Sequence, residues 1–235
     1  VTRKLGLLAV CTLIFLAACG GNETAVPNPP STIVPTTPAR QNIIVPTPPP
    51  GWSLYSRSSF QIALPDSWQE VKLQEAELKN AIAAAQNSNP PLAEQLRTLL
   101  ESGQYKSFIF YATEKAHEPI EQNVSVARLT LEGTNNIQSF AKSYADALPN
   151  VVRGAKVVEV QAPLKVNGIN AASVIYDVSL VDNSGNLTTL RGVQYLYLLD
   201  SGDAYAVTVT GNSADSLKLM PLARDIATSF VGVTP

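Results

Sequence analysis

The sequence predicts an α+β fold, a central and mostly antiparallel sheet with helices on both faces, carried behind a leader and a proline-rich linker. Three observations predict it. Runs of β-branched and aromatic residues recur between Ser107 and Thr210, separated by turn residues. The first two, Ser107 to Ala112 and Val124 to Leu131, are apolar on both faces, as a sheet covered on two sides requires. Among the strands lie segments of helical period, of which Ile137, Phe140, Ala141, Tyr144 and Leu148 form the clearest single stripe.

The chain opens with Arg3 and Lys4, an apolar run from Leu5 to Leu16, and the small residues Ala17 and Ala18. That order is the anatomy of a signal peptide. The run is far short of the roughly 20 residues that a spanning helix needs. Leu16-Ala17-Ala18-Cys19 resembles the cleavage box of bacterial lipoproteins at each position. The resemblance implies that residues 1–18 are removed, that Cys19 is lipidated on sulfur, and that this lipid makes the membrane a partner. It also implies an exported protein on the outer face of the cytoplasmic membrane. In a double-membrane host, Gly20 lacks the aspartate that retains many lipoproteins on the inner membrane, which opens the outer membrane as a destination.

Two cysteines, Cys11 and Cys19, are the only ones in the chain. With both used by export, thiol catalysis, cysteine-ligated metal and disulfides are excluded from the rest. Loss of Arg3 and Lys4 leaves the remainder more acidic than the full chain's net charge of −2, so nucleic acid is not an expected partner.

Residues 19–51 read as a disordered linker. Pro27, Pro29, Pro30, Pro35, Pro38, Pro46, Pro48, Pro49 and Pro50 are set among Thr, Ser, Asn and Val with neither helical nor strand period. Such chain cannot bury enough apolar surface to offset its ordering entropy. At about 3.1 Å per residue, ~30 residues of polyproline-like chain reach ~90 Å.

Residues 52–235 carry nearly all the aromatic residues and read as one globular domain. Phe60-Gln61-Ile62-Ala63-Leu64 alternates and stops at Pro65, so it is a strand, and Asp66 or Ser67 is placed to cap a following helix. On that helix Leu78, Ile82 and Ala85 share a face, and Asn87-Ser88-Asn89-Pro90 breaks it. A second helix, with Pro90 or Pro91 in its first turn, aligns Leu92, Leu96, Leu99 and Leu100 and ends at Gly103. After the Gly133 to Pro149 helix, Val157 to Val160 and Leu164 to Val166 lead to Asn167-Gly168, a two-residue hairpin signal. Ala172 to Val181, Leu187 to Leu199 and Ala204 to Thr210 complete an antiparallel meander. A last helix aligns Leu219, Leu222, Ala223, Ile226 and Phe230, with Pro221 expected to start or kink it.

The Phe60 to Trp68 opening, the Ile137 to Leu148 helix, the Asn167-Gly168 hairpin with Tyr176, the Tyr195 and Tyr205 strands and the closing Ile226-Ala227-Thr228-Ser229-Phe230 together resemble the PsbP-like α/β/α sandwich. The resemblance covers nearly all of Trp52 to Val233. It implies the sandwich fold and a bias toward binding or assembly over catalysis. The partner-binding basic residues and metal-linked histidines of the photosystem II subunit have no matching motif here.

Chemistry-bearing residues are few. Ser139-Phe140-Ala141-Lys142 has the S-x-x-K spacing of penicillin-binding enzymes without their S-D-N and K-T-G motifs, and both residues flank a buried stripe. Glu114, His117 and Glu118 cluster on what reads as a loop, and His117 is the one histidine, too few ligands for a metal. Asp182-Asn183-Ser184-Gly185-Asn186 begins like a calcium loop, but its glycine is misplaced and no glutamate closes it, so it reads as a hairpin turn. No glycine-rich phosphate loop follows a strand, and no cofactor is expected.

Three functions follow as expectations. The first is a non-catalytic binding or complex-assembly module with a protein partner, which an exposed cluster of Tyr55, Tyr105 and Tyr111 would serve. The second is a small-ligand-binding lipoprotein whose Leu92 to Leu100 helix covers a pocket. The third is a serine hydrolase using Ser139 and Lys142, which needs both side chains in one concave site.

Overall fold

A computed structural model describes residues 45–88, 90–101, 103–114, 122–129, 131, 136–152, 154–181 and 187–232. Cys19, most of the linker, His117, Glu118 and the 182–186 turn lie outside the described residues, as does the side chain of Leu92. In chain order the elements are β1 (Trp52–Ser56), β2 (Phe60–Pro65), β3 (Trp68–Glu70), α1 (Glu75–Ser88), α2 (Pro90–Glu101), β4 (Phe108–Glu114), β5 (Asn123–Leu129) and α3 (Ile137–Val151). There follow β6 (Ala155–Val166), β7 (Ile169–Val181), β8 (Leu187–Leu198), β9 (Ala204–Asn212), α4 (Ser216–Ser229) and β10 (Val231–Gly232).

Seven strands form the central sheet in the order β3-β4-β5-β9-β8-β7-β6, and each described pairing is antiparallel. Alternation in its long strands sorts side chains to two faces. Ile175, Val193, Tyr197, Val207 and Val209 meet α4 through Leu219, Ala223 and Ile226, together with a small sheet of order β1-β2-β10. Val174, Tyr176, Val178, Leu196 and Ala206 meet α3 through Phe140, Tyr144 and Leu148. On that second face, at the β3–β4 end, α1 and α2 pack over Tyr111 and Val71 with Leu78, Leu96 and Leu99. The fold is therefore α+β with helices on both faces of an antiparallel sheet.

Local chemistry explains the ends of these elements. Asn136 Oδ1 caps α3 by accepting from the N–H groups of Gln138 at 2.8 Å and Ser139 at 3.3 Å. Asn167 and Gly168 take φ of 51° and 82°, the positive values a two-residue hairpin demands. Asn167 is held there by its Nδ2, which donates to the carbonyl oxygens of Thr228 at 2.6 Å and Phe230 at 3.3 Å.

Two elements differ from expectation. Asp66 and Ser67 cap no helix. Trp68 is buried in the apolar cluster, so the chain continues as β3 and helix begins only at Glu75. Val157 to Val160 and Leu164 to Val166 are one strand, β6, interrupted by register shifts between Val157 and Glu159 and between Gln161 and Leu164. Pro163 is tolerated because β6 is an edge strand. Of the two places expected for Pro221, at the start of the last helix or within it, the structure has the second: it lies inside α4. The N–H it lacks would have met the carbonyl of Leu217, a residue 94% exposed, where water can satisfy that oxygen.

Candidate functional site

The site begins where β3 stops. Trp68, Gln69 and Glu70 pair with Glu114, Thr113 and Ala112 of β4, and the N–H of Val71 donates to the carbonyl of Tyr111 at 3.0 Å. The chain then leaves through Lys72, Leu73 and Gln74 to enter α1. β4 runs on in the other direction, and its Phe108–Phe110 stretch has no strand partner on the β3 side among the described residues. The pairing with β5 shifts register between Phe108 and Phe110, and a bulge of this kind re-aims the extra residue. Here that residue is Ile109, 38% exposed.

The gap left by the short strand is a groove of about 380 Å³. Val71, Leu73, Phe108, Ile109 and Phe110 supply its apolar lining, and Tyr105 of the preceding 3-10 turn stands beside them. Glu70, Lys72, Glu77 and Lys106 supply its charges. Glu70 is engaged by Arg57, whose NH2 approaches Oε1 at 2.5 Å, with Lys72 Nζ 3.9 Å from the same oxygen. Arg57 also lies 5.7 Å from the centroid of Phe110, and Lys106 Nζ lies 5.7 Å from that of Tyr105. Glu77 differs from all of these. Its Oε2 is buried and has no hydrogen-bond partner among the described residues.

Behind the groove, a second polar group is shut into the sheet. Thr208, on β9, stands in register with Ser125 of β5 and Gln194 of β8, all three buried. Gln194 Nε2 donates to Thr208 Oγ1 at 2.7 Å, while Gln194 Oε1 and the buried Thr113 Oγ1 lack partners among the described residues. Burial pushes the Tyr144 hydroxyl well above the usual phenol range, with Tyr176 adding to the rise and a hydrogen bond from the Gln194 amide opposing it.

The residues singled out by sequence fall in separate places. Ser139 and Lys142 stand on the solvent face of α3. The Lys142 side chain is 78% exposed and paired to Asp146 at 2.6 Å, so the two share no concave site. Glu114 ends β4, its N–H donating to the carbonyl of Gln122 at 3.0 Å. Tyr55, Tyr105 and Tyr111 form no exposed cluster. Tyr111 is 1% exposed under α1 and α2, because β4 is covered on both faces. Tyr55 packs edge-on against Phe110 at 5.3 Å, and Tyr105 lines the groove. Partial burial, then Glu70 and Asp66, push the Tyr55 hydroxyl up. The α2 helix that carries Leu96 and Leu99 packs against α1 and Tyr111, and none of its described side chains lines the groove. Sequence reasoning missed Glu77, which reads as an ordinary first-turn acid complementing the helix dipole.

No group of three or more metal-ligating side chains occurs among the described residues, and no helix among them is long and apolar enough to cross a membrane. No protein-family model matches the chain, and neither does any curated protein. Several solved structures resemble it at low identity, among them these three. The cyanobacterial PsbP protein CyanoP of Synechocystis aligns over 78% of this chain and 93% of its own, with 12% identity and a TM-score of 0.51. PA94 of Pseudomonas aeruginosa, a protein of unknown function, aligns over 78% and 99% with 14% identity and a TM-score of 0.45. LpqN of Mycobacterium tuberculosis, involved in cell envelope biogenesis, aligns over 78% and 91% with 11% identity and a TM-score of 0.41. The last two are too distant to carry an argument. The likeness to CyanoP, together with the antiparallel sheet flanked by helices, establishes that this chain has a PsbP-like α+β fold.

Proposed function

We propose that this protein is a non-catalytic binding or complex-assembly module, exported and tethered to a membrane by lipid on Cys19. Residues 19–51 are the spacer and residues 52–235 the single binding domain. The groove at the end of β3 is where it holds a protein partner. One observation carries this reading: the groove is open, and a strand edge without a partner among the described residues lines it beside the exposed Ile109. Unpaired strand edges are recognised by other chains, because backbone donors and acceptors are already aligned there.

A volume of about 380 Å³ also falls in the range of small-ligand sites. A site of that kind excludes water around its ligand, and this groove is open, with no described side chain of α2 lining it. The hydrolase reading is not supported by the placement of Ser139 and Lys142 on a solvated face.

A crosslinking pull-down from intact cells tests the proposal with three proteins: wild type, Cys19→Ala and Ile109→Arg. The reading expects one specific protein recovered with wild type and lost with Ile109→Arg. It expects Cys19→Ala to leave the membrane fraction. Equal recovery with Ile109→Arg would move the docking surface elsewhere, and retention of Cys19→Ala on the membrane would remove the lipid tether.

A further inference from the structure

The groove presents two unmet demands side by side. One is the Phe108–Phe110 backbone, which continues beyond the last β3 pairing with no strand opposite it among the described residues. The other is Glu77, a half-buried residue of the groove wall whose Oε2 is shut off from solvent with no hydrogen-bond partner among the described residues. The remaining charges of the lining are engaged: Glu70 by Arg57 and Lys72, and Lys106 over the ring of Tyr105. A carboxylate oxygen removed from water and left without a hydrogen bond is costly, and a charge-assisted donor is the group that relieves it.

We propose that the occupant of this groove is an extended segment of a partner protein, which pairs with the free edge of β4 and sets a lysine or arginine against Glu77. This rests on the reading of the groove as a docking site and adds the chemistry of the docked segment. Its residues alternate between the two sides of the new strand. Apolar side chains meet Leu73 and Ile109, and the basic one reaches Glu77. The strand is short, since only the gap beyond β3 is free. A cationic stem that buries its methylenes along the apolar lining while its head meets the carboxylate suits such a groove.

The test uses the full chain and three nine-residue peptides of alternating apolar and polar residues, differing only in a central Lys, norleucine or Glu. Binding is read by fluorescence anisotropy, and its place by the backbone amide resonances of Phe108, Ile109 and Phe110. The Lys peptide is expected to bind at least about tenfold tighter than the Glu peptide, the scale of a partly desolvated charge pair. Glu77→Gln, verified as folded by its thermal transition, is expected to abolish that preference while the norleucine peptide binds as before. Spermidine serves as a small-cation probe and is expected not to displace the Lys peptide. The inference is overturned if peptides bind the groove with no preference for Lys, if the preference survives Glu77→Gln, or if spermidine alone displaces them. If no peptide moves the three amide resonances and Ile109→Arg changes nothing in cells, the docking reading fails with it.

Discussion

Ser229 closes the end of α4 onto the backbone of Ala63. Its Oγ accepts from the Ala63 N–H at 2.9 Å, and its hydroxyl proton lies within reach of the carbonyls of Ala63 at 3.0 Å and Ile226 at 2.7 Å. The contact continues a ladder in which Val231 pairs with Gln61 and Gly232 with Phe60, so a side chain stands where the next backbone pair would be. Ser229→Ala leaves the Ala63 N–H buried and unpaired. We expect a loss of about 1–3 kcal/mol, seen as a lower urea midpoint at unchanged slope. An unchanged midpoint would mean that the small sheet does not depend on this hydroxyl.

Gly192 lies under the ring of Tyr176. A Cβ at residue 192 would fall 2.2 Å from Tyr176 Cζ, a distance no van der Waals contact allows. Gly192→Ala is expected to cost about 1–3 kcal/mol by overpacking the α3 face of the sheet. Tyr176→Ala removes the obstacle at the cost of a cavity. The double variant is therefore expected to be more stable than the sum of the two losses, by at least about 0.5 kcal/mol in a double-mutant cycle. Simple additivity would show that the ring does not oppose residue 192.

Arg128 and Asp203 form an ion pair at the β8–β9 turn, and the Asp203 carboxyl is held below its ordinary range first by the hydrogen bond from Arg128 and then by that from Ser201. A carboxyl whose pKa is depressed by folding contributes stability above its unfolded pKa and loses it as pH falls through the folded value. Wild type is therefore expected to be more stable than Asp203→Asn at neutral pH, with the difference shrinking as pH drops below about 4. Arg128 is solvent-exposed, so added salt should narrow the difference as well. A difference that grows on acidification would contradict the assignment.

Ser139→Ala and Lys142→Ala are expected to change stability by less than about 0.5 kcal/mol each, because the Lys142–Asp146 pair is a solvated i, i+4 contact. Neither substitution should alter recovery of the partner in the cellular pull-down. A protein that loses its partner with Lys142→Ala would place the binding surface on α3 instead.

The readable parts of the fold were those whose signal is local. The α3 stripe and the Asn167-Gly168 turn each occupy one stretch of chain and obey one rule, 3.6-residue spacing and positive φ. Short pairings were not readable. Trp68 lies in β3 because it meets Glu114, 46 residues further along the chain, and Val231 lies in β10 because it meets Gln61. Neither strand is long enough to show alternation. Which face of β4 a given aromatic takes was not readable either, because a sheet covered on both faces erases the contrast that separates inside from outside, and Tyr111 lies under α1 and α2. The groove was invisible for a related reason. It exists because β3 ends opposite Ala112 while β4 continues through the bulge at Ile109, a mismatch of lengths between strands distant in sequence. Glu77 carries no mark of its own in the sequence; its isolation comes from the elements folded around it.

A protein partner docked in the groove at the end of β3 would lie against Ile109. The most direct measurement replaces Ile109 with a photo-crosslinking amino acid in the full-length protein, irradiates intact cells and identifies the crosslinked peptide by mass spectrometry, with the same amino acid at Lys142 as control. One protein is expected to be crosslinked from residue 109 and not from 142, through an extended segment bearing a lysine or arginine. The same protein captured equally from both positions, or from 142 alone, would contradict docking in the groove.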